Sequence, residues 1–198
     1  MNMERFEDRA EDRRIRKTKK ALRAALVKLL SKKSIEEITI KELTEEADVH
    51  RGTFYHHYRD AFDLKEQVEV EIEQELDEMI ASVPDSALEN GPYPLLLKVL
   101  CYLEENRDVA RMLTSESGEP KMMARMCEQI SVRCMKDSLF GEERRYGSRF
   151  CAAGIQGMLV PWVEDGMRTP PKEMAKLLDT VITGGTAEAK GKENAVGA

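Results

Sequence analysis

Two short amphipathic segments separated by a tight turn constrain this chain more than any other feature. Thr39-Ile40-Lys41-Glu42 has the form of a capping box, in which the threonine hydroxyl takes the Glu42 amide and the Glu42 carboxylate reaches back to Thr39. Ile38 and Leu43 fit the hydrophobic staple that accompanies such a start, so a helix is predicted from about Ile40 to Ala47. Asp48-Val49 then turns the chain into a second short helix over His50 to Tyr58. Two short helices joined by so few residues predict a helix-turn-helix unit.

Within the second helix, Phe54 and Tyr58 are i,i+4 partners that face a core. The opposite face carries Arg51, Thr53, Tyr55 and His56, which can all hydrogen-bond phosphates or base edges, and Gly52 leaves room for a close approach. His56 and His57 project about 100° apart on a helix, so both cannot ligate one metal from the same face.

Upstream, Ile15, Ala21, Leu22, Ala25, Leu26, Leu29 and Leu30 recur at helical spacing, and cations crowd Arg13 to Arg23. These cations occupy the first turns of the expected helix and oppose its macrodipole, a cost that a nearby phosphate offsets. Charge is unequally divided along the chain. The formal net charge is −6, yet residues 13–59 carry 13 basic and 6 acidic side chains, while residues 60–198 carry 16 basic and 26 acidic. One small module is therefore suited to a polyanion while the remainder is not.

Downstream, Leu64, Val68, Ile72, Leu76 and Met79 predict a long fourth helix. Pro84 to Pro94 reads as a loop, and helices follow over Leu95 to Glu105, Arg107 to Thr114, Lys121 to Leu139, Gly147 to Glu164 and from Pro171 to Ile182. Pro161 is expected to kink or shorten its helix. The fold class is all-α: a helix-turn-helix head with a larger helical domain. The boundaries read as a flexible tail over 1–12, the head over 13–60, the larger domain over 61–183 and a disordered tail over 184–198.

Nothing resembling a secretory signal or an 18-residue apolar run occurs, which places the chain in the cytoplasm and away from membranes. Cys101, Cys127, Cys134 and Cys151 lack metal-ligand spacing and read as free thiols. No glycine-rich phosphate loop, nucleophile elbow or His-x-x-x-His pattern is present, so neither an enzyme nor a metal or other cofactor is expected.

Between Ala21 and Leu64 the helical pattern, the Thr39 to Ala47 helix and Gly52-Thr53-Phe54-Tyr55-His56-His57-Tyr58 resemble the signature of the TetR family of transcriptional regulators. A glycine-containing helix ending in Trp162-Val163-Glu164 is similar to the family's C-terminal region. Lys33-Ser34-Ile35-Glu36-Glu37-Ile38-Thr39 and the tryptophan helix also resemble a branch that includes regulators of dihydroxyacetone kinase genes.

The resemblance implies three helices in the head and a regulatory and dimerisation role for the larger domain, and that Thr39 and Lys41 contact phosphate or a nearby base. It implies that His50, Arg51, Gly52, Thr53 and His56 present to the major groove, with Tyr55 and His57 on backbone phosphates. Asp48 stands in place of the usual turn glycine, His50 in place of a capping serine, and Ala61 where a phosphate-binding lysine often sits. The expected function is a homodimeric repressor on a palindromic operator in double-stranded DNA, released by a small apolar effector. Tyr102, Met112, Met126, Ile130 and Phe150 are candidates to line the effector site. Gly154, Gly157, Met158, Trp162, Leu178 and Ile182 are candidates for the dimer interface. The alternative is a protein-interaction or coactivator module, because some members of the narrower branch work with another protein instead of a small effector.

Overall fold

The structure is a computed structural model that describes residues 3–114, 120–134 and 144–196. Among the described residues the chain is all-helical, with nine α-helices, two 3-10 turns and no strand. The helices are α1 (Met3–Leu30), α2 (Ile40–Ala47), α3 (Arg51–His57), α4 (Ala61–Ala81), α5 (Tyr93–Glu105), α6 (Arg107–Thr114), α7 (Pro120–Cys134), α8 (Arg144–Glu164) and α9 (Pro171–Val196). They form two compact units, one closing at Ile72 and the other running from Glu73. The fourth helix contributes residues to both.

In the first unit α1 packs against α2, and α2 against α3. Leu22, Leu26 and Leu30 of α1, Leu43 of α2, Phe54 of α3 and Leu64, Val68 and Ile72 of α4 are buried with almost no exposed surface. Burial of this apolar set is the main term holding α2 and α3, two short helices that could not persist alone in water. Val70 is half-exposed between buried Val68 and Ile72, which is the helical rather than the strand pattern. Asp60 starts α4 by accepting the Asp63 amide at 2.9 Å.

α1 begins at Met3, inside the stretch read as a tail, so Arg13 to Lys20 lie well within the helix. The dipole argument made for those cations therefore lapses, since the effect is confined to the first turn. The 3-10 turn Ile35–Glu37, with Ile35 buried, connects α1 to α2.

In the second unit α7 packs on α8 and α5 on α9, with α6 touching α5, α7 and α8. α5 starts two residues before the sequence reading placed it, because Pro94 occupies the first turn, where its missing N–H costs nothing. Pro161 does not end α8, which continues to Glu164. α9 continues past Gly184 to Val196. The end of α4 is held by Arg133 of α7, whose guanidinium donates to the Ile80 carbonyl, to the Val83 carbonyl at 2.6 Å and to Asp85 at 2.8 Å.

Candidate nucleic-acid interface

The site is assembled from the inside outward. Phe54 and Tyr58, the i,i+4 pair on α3, are buried, with ring centroids 5.7 Å apart. Their burial fixes the roll of α3 and turns Arg51, Gly52, Tyr55 and His56 outward, with Thr53 and His57 partly exposed. The loop into α3 is made by Asp48, whose φ of 53° is left-handed. Aspartate occupies that region more readily than most residues, which is why the turn survives without glycine. His50 occupies the N-cap of α3 but makes no side-chain capping bond. Its imidazole is exposed.

α2 is anchored by the capping box read from the sequence: Glu42 N donates to Thr39 Oγ1 at 3.2 Å and Thr39 N donates to Glu42 Oε2 at 3.0 Å. Lys33 adds an ion pair at 2.6 Å. The Lys33 bond and then the Thr39 amide hold the Glu42 carboxyl down to about 2. Thr39 itself is exposed, and Lys41 projects into solvent with a loose i,i+4 partner in Glu45 at 3.8 Å.

Lys19 of α1 was not among the sequence candidates, yet its ammonium lies 6.0 Å from the Tyr58 ring centroid. It belongs to the basic run of α1, the only sequence signal that pointed to it. His57 titrates below its ordinary range, first through burial and then through the neighbouring His56 and Lys19 charges. A neutral His57 next to cations is a donor that becomes a further positive charge when an anion is close. Lys19, His56 and His57 thus gather near one end of α3, while Arg51 and Tyr55 share a row one turn earlier.

The effector candidates are not brought together. Met112, Met126 and Ile130 are sealed in the second unit's core, Tyr102 is half-buried and donates its hydroxyl to Glu75 at 3.1 Å, and Phe150 is 82% exposed. An open groove of about 680 Å³ in the same unit is lined instead by Asp77, Ile80, Arg125, Gln129, Val132 and Arg133, among others. Polar rungs cross its rim, Arg125 to Glu73 at 2.9 Å and Gln129 to Asp77 at 2.8 Å.

The dimer candidates divide. Trp162 and Leu178 are buried in their own unit, and the indole N–H donates to the Thr169 carbonyl at 2.8 Å. Gly154 and Gly157 are exposed, and a Cβ at either would meet nothing within 4 Å. Met158 and Ile182 are partly exposed. The sequence reading missed the apolar side chains beside them, Leu177 and Val181 of α9, each about half exposed.

Cys127 is buried in the second unit, and burial pushes its thiol up to about 12, away from the reactive thiolate. Among the described residues no group of three His, Cys, Asp or Glu side chains could hold a metal ion.

Residues 22–64 match the family described as bacterial regulatory proteins of the tetR family, and residues 90–184 match a transcriptional regulator C-terminal region of the same family. A curated relative, the HTH-type transcriptional regulator YxbF of Bacillus subtilis, is 26% identical over 177 residues, which are 87% of this chain. The matched chain spans 46% of that relative's length. Among solved structures, the dihydroxyacetone kinase operon activator DhaS aligns with a TM-score of 0.62 at 17% identity, covering 86% of this chain and 96% of its own. NalD of Pseudomonas aeruginosa, the secondary repressor of the MexAB-OprM efflux pump, aligns with a TM-score of 0.61 at 22% identity, covering 86% and 96%. TetR-family regulators are transcription factors and not enzymes. The helix-turn-helix head, the helical C-terminal region and these matches together identify the chain as a member of the TetR family of DNA-binding transcriptional regulators.

Proposed function

We propose that the protein is a homodimeric repressor that reads a palindromic operator with α3 of each chain and leaves it when an effector binds the second unit. The observation that carries the reading is the set of donors on α3, exposed Arg51, Tyr55 and His56 with partly exposed Thr53, fixed by the buried Phe54 and Tyr58. Thr39, Lys41, Lys19 and His57 surround these donors as contacts to phosphate, which set register without reading sequence, and His50 at the N-cap of α3 faces the groove with them.

Dimerisation is assigned to one face of α8 and α9. Phe150, Gly154, Gly157 and Pro161 follow at four, three and four residues, and Leu177, Val181 and Gly184 at four and three, all exposed. Two helical rows of exposed apolar and small residues suit an isologous contact with a second copy. Two such heads read half-sites about 34–36 Å apart. Effector and DNA binding are coupled through α4, the helix that contributes to both units. The groove at Ile80, Val132 and Arg133 is the place assigned to the effector, in preference to the sealed methionines. A DNA partner places the protein in the cytoplasm, and among the described residues no helix is long and apolar enough to cross a membrane.

The test is selection of duplexes from a randomised pool by the full-length protein. An inverted repeat is the expected product, and a pool enriched for no sequence, from folded protein at low salt, sinks the reading.

A further inference from the structure

From the side-chain geometry on α3 we infer that Arg51 is the base-reading residue and that it reads guanine, with Tyr55 holding its guanidinium in place. The inference rests on the operator reading above. Arg51 Nη2 donates to the Tyr55 hydroxyl at 3.3 Å, and the guanidinium carbon lies 5.7 Å from the Tyr55 ring centroid. The pair is i,i+4 on one helix face, and both side chains are exposed.

Several of the head's other cations are held by carboxylates. Lys28 pairs with Glu46, Lys33 with Glu42, and Arg59 with Asp63. Among the described residues no carboxylate pairs with Arg51; its partner is a neutral phenol that occupies one of five N–H groups and leaves the rest. A carboxylate would neutralise the charge and compete with an external acceptor, whereas a phenol orients the fork and leaves the charge intact. Tyr55 is in turn braced edge-on against buried Phe54, with centroids 5.5 Å apart.

Adjacent Gly52 supplies a second observation. Its φ lies outside the left-handed region, and a Cβ there would meet nothing within 4 Å in this chain. The chain's own fold therefore does not demand glycine at 52. An oriented, exposed guanidinium, on a helix whose next residue has no side chain, matches the paired O6 and N7 acceptors that guanine presents in the major groove. Adenine offers a donor where guanine has O6, and so rejects the fork.

The experiment uses the full-length protein and the inverted repeat recovered by selection. Each guanine of a half-site is replaced in turn by 7-deazaguanine, which lacks the N7 acceptor, and affinity is measured for wild type, Arg51→Ala, Arg51→Lys and Tyr55→Phe. One guanine per half-site should lose roughly 5- to 150-fold in affinity for wild type on this replacement. That penalty should vanish in Arg51→Ala, shrink in Arg51→Lys, which keeps the charge but not the fork, and shrink in Tyr55→Phe, which keeps the ring but not the hydroxyl. An Arg51→Ala loss that is uniform across sequences, with the slope of log K against log salt reduced by about 1, makes Arg51 a phosphate contact and overturns the inference. Tyr55→Phe with undiminished guanine discrimination overturns the positioning role. Failure of wild type to recover any motif overturns the operator reading itself, so the two failures are distinct.

Discussion

Thr39 and Glu42 hold each other at the start of α2: the threonine hydroxyl accepts the Glu42 amide at 3.2 Å while the glutamate carboxylate accepts the Thr39 amide at 3.0 Å. The box also recruits Lys33 from the preceding loop at 2.6 Å. It therefore sets both the first turn of α2 and the path of the chain entering it.

Removing the Thr39 hydroxyl as Thr39→Ala should cost about 1 kcal/mol of stability, the usual worth of a cap. The carboxyl gives the same device a pH signature. Glu42 in the folded chain titrates near 2, below the ordinary 4.5, so its contribution is complete above pH 4.5 and is lost as pH falls toward 2. Thermal melts of wild type and Glu42→Gln should converge across that window, and melts that stay parallel would remove Glu42 from the account.

His57 gives a prediction of opposite direction for stability and for binding. Its pKa lies below 6.5 in the free protein, so the unfolded chain binds the proton first and stability falls as pH drops through 6.5. A phosphate beside His57 favours the charged form, so DNA affinity should rise over the same acidification. Both trends should flatten in His57→Gln, measured by melting and by titration of labelled duplex. Affinity that is indifferent to pH in both proteins would move His57 away from the phosphate.

Gly91 precedes α5 with φ of +125°, and a Cβ built there would lie 3.1 Å from Asp179 Oδ1 on α9. Gly91→Ala meets a backbone penalty and a close contact together, so destabilisation should exceed about 1 kcal/mol by denaturant unfolding. Gly157→Ala, in open space inside α8, should instead stabilise the isolated chain by about 0.5–1 kcal/mol, because alanine replaces glycine in a helix interior.

The proposed dimer face makes a further demand. Phe150→Glu and Val181→Glu each place a charge on exposed apolar surface and should yield folded monomers in sedimentation, with weakened binding to the inverted repeat. Dimers that persist in both variants would place the interface elsewhere.

What the sequence made legible follows the range of the interactions. The box at Thr39 and Glu42, the turn at Asp48 and the buried Phe54 and Tyr58 are determined within four or five residues, and each is readable as a local pattern. Trp162 and Phe150 are not. Both lie on α8, and periodicity alone cannot distinguish a face that meets its own core from one left open. Trp162 turned inward toward Thr169, while Phe150 turned out. Arg133 holding the end of α4 spans 53 residues to Ile80, and Lys19 of α1 reaches Tyr58 at the C-cap of α3; no local signal announces either. The extension of α1 to Met3 and of α9 to Val196 runs through charged or glycine-bearing sequence with little apolar periodicity to reveal it.

The most direct measurement of the central claim is the affinity and stoichiometry of the full-length protein on its selected inverted repeat and on the same duplex with scrambled half-sites, at two salt concentrations. The account predicts two chains per repeat and a preference of about 10³-fold or more that persists at the higher salt. Equal affinity for both duplexes, falling together as salt rises, would contradict it by reducing the basic head to a nonspecific polyanion contact.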